Sequence, residues 1–91
     1  MMRCIRNGKS TVALDEKKVQ AIRCLDGVVQ AVLKNGISVD IVKIDTLDDF
    51  ASSERVIIDC VILALSEFFN NSDETSCNLR EIFEETLNLF K

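Results

Sequence analysis

The stretch CLDGVVQAVLKNGISVD, residues 24–40, decides the fold of this 91-residue chain. It holds two of the three glycines, Gly27 and Gly36, preceded by Asp26 and Asn35, and the third, Gly8, follows Asn7. Asp-Gly and Asn-Gly pairs either close hairpins or end helices, because these residues tolerate the positive φ that both features need. Read as a helix, residues 18–34 put Ile22, Leu25, Val29, Val32 and Leu33 on one stripe. Asp15 and Glu16 then open the helix, Lys34 closes it, and Asn35-Gly36 stops it. Gly27 opposes this reading, since a mid-helix glycine costs about 1 kcal/mol relative to alanine.

Read as strands, VQAIRC, VVQAVLK and ISVDIVKI form a meander joined at LDG and KNG. VVQAVLK does not alternate cleanly, and the adjacent pairs Val28-Val29 and Val32-Leu33 suit a helical arc, so the helix is the preferred reading. ISVDIVKID is the clearest strand: Ile37, Val39 and Ile41 take one side, Ser38 and Asp40 the other, and Val42 and Ile44 shift the phase.

Working outward, MMRCIR and KSTVAL flank Asn7-Gly8 as a short hairpin. From about Ser53 to Phe69 the pattern is helical, with Val56, Ile57, Cys60, Val61, Ala64, Leu65 and Phe68 on one face and Ile58, Ile62, Leu63 and Phe69 beside it. A helix apolar most of the way round is either central or shared with a partner. NNSDETSCN reads as a polar loop, after which Ser76 or Asn78 caps a last helix. There Leu79, Ile82, Phe83, Leu87 and Phe90 are apolar, and Glu81, Glu84 and Glu85 face away.

Composition narrows the function classes. At 47% hydrophobic residues and without proline, the chain can build a core. It has five Phe but no Trp or Tyr, which removes the usual stacking platform for single-stranded nucleic acid. The most apolar run, VIIDCVILAL, is too short for a membrane span, and the N-terminus lacks the apolar stretch of a signal peptide. Cysteines 4, 24, 60 and 77 stand 20, 36 and 17 apart with no paired spacing. Reduced thiols are therefore expected rather than zinc or disulfides, with Cys77 the most exposed and reactive. Residues 1–34 carry net charge +4 and residues 35–91 net −8, a polarity that can steer a charged partner.

Candidate chemistry is thin. GKST at residues 8–11 ends like a phosphate-binding loop, but the glycine required five residues earlier is Arg3. Asn70, Ser72, Glu74 and Glu81 fall at EF-hand spacing, yet Thr75 stands where the loop needs glycine. The chain has no histidine, so no Ser-His or Cys-His pair can form.

The reading is thus a single α+β domain over 1–91 with order β-α-β-α-α, a short sheet packed by helices, the alternative being an N-terminal β-meander followed by two helices. The expected function is non-enzymatic, with neither cofactor nor metal: a small acidic adaptor, inhibitor or regulatory subunit in the cytoplasm, binding a protein partner and forming a homodimer. Its expected contacts are Ile58, Ile62, Leu63, Phe69, Phe83 and Phe90. The competing reading is a nucleic-acid or phosphate binder using Arg3, Arg6 and Lys9.

Overall fold

The computed structural model describes residues 1–50 and 53–89, with the side chains of all but 48–50. Among them are six strands and two α-helices. Strands β1 (Met2–Asn7) and β2 (Ser10–Asp15) form the first hairpin, followed by a 3-10 turn over Glu16–Lys18. Strands β3 (Val19–Leu25), β4 (Val28–Leu33) and β5 (Ser38–Lys43) form a meander. A second 3-10 segment, Ile44–Phe50, precedes helix α1 (Glu54–Asn71), the short strand β6 (Ser76–Asn78) and helix α2 (Leu79–Leu89). The class is α+β, and its N-terminal part is the meander.

The helix expected over residues 18–34 is therefore corrected to β3 and β4. Asp26 and Gly27 have φ of 52° and 76°, and Leu25 pairs directly with Val28. Two consecutive positive φ values in a two-residue loop are the type I′ hairpin pattern. Along β4, Val29 and Ala31 are buried while Val28, Gln30 and Val32 on the other face are only half-covered. The apparent helical arc arises because Val28 and Val32 are apolar on the outer face of a central strand. The β-branched content of the segment favours the pleated form as well.

Gly36 likewise closes a hairpin rather than a helix. Its N–H donates to the Leu33 carbonyl at 2.9 Å, and the Leu33 N–H donates to the Ile37 carbonyl at 2.8 Å. A turn over 33–36 that ends in glycine at φ 89° is the usual three-residue hairpin with a bulge. The phase shift in ISVDIVKI is another bulge: Gln30 pairs with Asp40 and Val29 with Val42, so Ile41 is the extra residue. Ile41 and Val42 are both buried as a result.

Two three-stranded sheets result, in the orders β2-β1-β6 and β3-β4-β5. The first is antiparallel at β1–β2 and parallel at β1–β6. Its inner face presents Ile5, Leu14 and Cys77, and α2 packs on β1 and β6. Helix α1 packs on β3, β4 and α2, so a single apolar cluster joins both sheets to both helices. Ser53 caps α1, its Oγ accepting the Val56 N–H at 3.4 Å. Asn78 caps α2, its Oδ1 accepting the N–H groups of Arg80 and Glu81 at 3.1 and 3.3 Å.

Candidate interaction surface

The sequence of α1 buries Ile57, Cys60, Val61, Ala64, Leu65, Phe68 and Phe69, a stripe at helical spacing that meets the sheet and α2. Away from that stripe, Leu63 is 40% exposed and Val56 is 37% exposed. These two residues are seven apart, two helical turns, and so lie one above the other on the outward side. Ile58 and Ile62 are half-buried on the helix, and Ile58 packs against the core. Spacing alone predicts Val56 in the buried stripe, whereas it is exposed in the first turn of the helix.

Three of the other expected contacts have different fates. Phe69 is buried in the core cluster, and Phe83 is 0% exposed within it, so both aromatics anchor the chain's own interior instead of a partner. Phe90 lies outside the described residues.

The three N-terminal cations do not share a surface. Arg6 is exposed on the outer face of its sheet, opposite Thr11 and Asn78, and Lys9 is exposed in the β1–β2 turn. Arg3 points the other way and is 5% exposed. Its Nε donates to Glu16 Oε2, and its Nη1 donates to the Phe68 carbonyl at 3.1 Å and to the Glu74 carbonyl. The guanidinium carbon also stands 5.5 Å from the centre of the Phe68 ring. Phe68 supplies one of the last four carbonyls of α1, which find no partner inside the helix. The last turn of α1 carries no basic residue of its own, so Arg3 from β1 provides the positive charge that a helix C-terminus favours.

The segment with EF-hand spacing is not a single loop. Asn70 and Asn71 end α1, Ser76–Asn78 is a strand, and Glu81 belongs to α2. The loop expected over NNSDETSCN is corrected accordingly, since residues 76–78 pair with β1. Among the described residues no group of three His, Cys, Asp or Glu could hold a metal ion.

Cys77 is corrected too. It is buried on β6, and that burial, with a smaller effect from the Glu74 charge, pushes its thiol up to about 11. Burial also raises the Cys60 thiol, aided by Asp59. Cys4 and Cys24 are half-buried, and all four thiols are free.

The solvent face of the meander carries a polar ladder. Arg23 donates to Gln30 Oε1 at 3.2 Å and to Ser38 Oγ at 3.0 Å, and Gln30 Nε2 donates to Asp40 Oδ1 at 2.8 Å. Arg23 is thereby committed to cross-strand pairing. A groove of about 550 Å³ lies between the Asp26-Gly27 turn, the end of β5 and the start of α1. Asp26, Asp45, Glu54 and Lys43 line it, with no thiol or hydroxyl nucleophile among its lining residues.

Fold and surface together define a small α+β domain with two exposed apolar side chains, Val56 and Leu63, aligned on its longer helix. No known protein family, curated protein or solved structure matches this chain.

Proposed function

We propose that the chain is a non-enzymatic protein-interaction module that pairs with a second copy of itself through the outward side of α1. The observation that carries this reading is the exposure of Val56 and Leu63 one above the other on α1, with half-buried Ile62 about 100° further round the helix from Leu63. A second copy offers the same stripe, and a two-fold interface needs a surface that complements itself. Large apolar groups at its centre would dominate the binding energy. The sequence has no histidine, which removes the commonest general base and supports a role without catalysis. Four free thiols support a reducing compartment such as the cytoplasm. A regulatory or adaptor role fits a domain whose distinctive surface is a contact face. Binding of nucleic acid through Arg3, Arg6 and Lys9 is the weaker reading, because the Arg3 guanidinium is already engaged inside the fold.

Light scattering across a wide concentration range tests the proposal. A concentration-dependent dimer is expected, and Leu63→Asp should weaken it about tenfold or more while leaving the circular dichroism spectrum unchanged. Ile62→Asp should act in the same direction. A protein that stays monomeric at every concentration, with an Ile62→Asp variant that unfolds, would sink the interface and leave Ile62 as a core residue.

A further inference from the structure

Strand pairing brings together two lysines that are far apart in sequence. The Lys34 N–H donates to the Lys18 carbonyl at 2.9 Å, tying the β4–β5 turn to the 3-10 turn that precedes β3. Lys18 and Lys34, with Leu33 and Asn35, line a groove of about 270 Å³. Neither ammonium has an ion-pair partner among the described residues. Of the acids nearest in sequence, Asp15 lies close enough for its charge to interact with Lys18, but both it and Glu16 have their direct partners elsewhere. Asp15 pairs with the N-terminal ammonium and accepts the Lys17 N–H, and Glu16 is held by Arg3. Asn35 uses Oδ1 to accept the Ile37 N–H at 3.0 Å, which leaves its amide N–H groups without an acceptor among the described residues.

We propose that this groove binds a small phosphate monoester, its dianion held by the Lys18 and Lys34 ammonium groups and the Asn35 amide, with Leu33 against the apolar part of the molecule. Lysine serves phosphate as a mobile point charge, so the two ammonium groups can close on one dianion from different elements. Exposed Lys17 adds to the local positive potential. The groove lies just below the range of about 300–1,000 Å³ usual for ligand pockets, which restricts the occupant to a small molecule. An extended polyanion fits less well, because Arg6 and Lys9 sit on the other sheet and the chain as a whole is at net −4.

Amide NMR titrations of the full chain provide the test, with phenyl phosphate, inorganic phosphate and sodium chloride compared at matched ionic strength. Saturable shifts at the amides of Lys18, Leu33, Lys34 and Asn35 are expected with both phosphates, tighter for phenyl phosphate, and absent with chloride. Lys18→Gln and Lys34→Gln remove exposed charges without touching the core, and each should weaken binding about tenfold. Equal affinity for the two phosphates would overturn the ester and leave the free ion as ligand. Shifts that follow ionic strength alone, that spread to Arg6 and Lys9, or that survive in the double variant would overturn the site itself. The readout is independent of self-association, which involves α1.

Discussion

Arg3 is the residue whose role is least guessable from its neighbours in sequence. In MMRCIRNG it reads as half of a basic strand edge, yet strand alternation turns it inward, where it meets Glu16, the end of α1 and the Glu74 carbonyl. Those partners lie 13, 65 and 71 residues away, so local pattern carries no trace of them. Removing the guanidinium strands the Glu16 carboxylate and the Glu74 carbonyl in partly buried positions and the Phe68 carbonyl in a buried one. Arg3→Met should therefore lower stability by about 2–4 kcal/mol, whereas Glu16→Gln, which keeps an acceptor for Nε, should cost about 1 kcal/mol. Urea midpoints of the two variants check the order. Cys77 gives a pH signature of the opposite kind to an acid-labile carboxylate. Its thiol ionises at about 11 in the folded chain against an ordinary 9.0, so between those values the unfolded chain loses its proton while the folded chain keeps it. Stability is thus whole below pH 9 and falls as pH rises toward 11. Urea unfolding at pH 8, 9 and 10 should show this decline, and Cys77→Ala should make it shallower. At neutral pH the same burial should leave Cys77 unmodified by a thiol reagent that reaches Cys4 and Cys24.

At the level of elements, the two C-terminal helices were legible and the meander was only an alternative. The difference has a physical source. Helix α1 repeats apolar residues at one spacing over 18 residues, whereas β4 has six residues, part-apolar on both faces, so its period cannot be told from a short helical arc. The decisive cue was present in the Asp26-Gly27 pair, whose hairpin meaning was outweighed by the Val-Val and Val-Leu neighbours. Bulges blurred the rest, since the extra residue at Ile41 puts two adjacent side chains inside. Of the expected contacts on α1, Leu63 is exposed while Ile58 and Ile62 are half-buried, and the burial of Phe69 and Phe83 comes from elements distant in sequence, which helix spacing alone does not reveal. The hairpin assignment makes its own prediction. A Cβ at Gly27 would meet nothing within 4 Å, so the penalty of Gly27→Ala is purely conformational, about 1–2 kcal/mol for a positive φ of 76°. Asp26→Asn should instead stabilise by a few tenths of a kcal/mol, roughly the advantage of Asn in the left-handed region of an Asn-Gly turn. Thermal melts of the two variants should move in opposite directions.

Across the whole molecule, the basic and acidic halves of the sequence are not separate bodies. Strand β6 from the acidic half pairs with β1 from the basic half, β5 pairs with β4, and Arg3 reaches Phe68 and Glu74. The polarity seen along the chain is therefore folded into itself in part. Lys18 and Lys34 remain without a direct ion pair among the described residues. This interlocking has an energetic consequence. Ile5, Leu79, Phe83 and Leu87 belong to the same buried cluster as Val29, Val61 and Leu65, so neither sheet keeps its inner face covered without the helices. Phe83 is the largest wholly buried side chain among the described residues, and Phe83→Ala should cost about 3–5 kcal/mol from lost transfer energy and the cavity left behind. For a domain of this size that is a large share of the usual 5–15 kcal/mol. The loss should appear as one shifted cooperative transition, because both sheets draw on that cluster. Urea unfolding followed by far-UV circular dichroism and by amide NMR signals from β1 and β4 should therefore give coincident curves in the wild-type chain and in Phe83→Ala. Melting of β1 well ahead of β4 would show instead that the two sheets are stabilised independently.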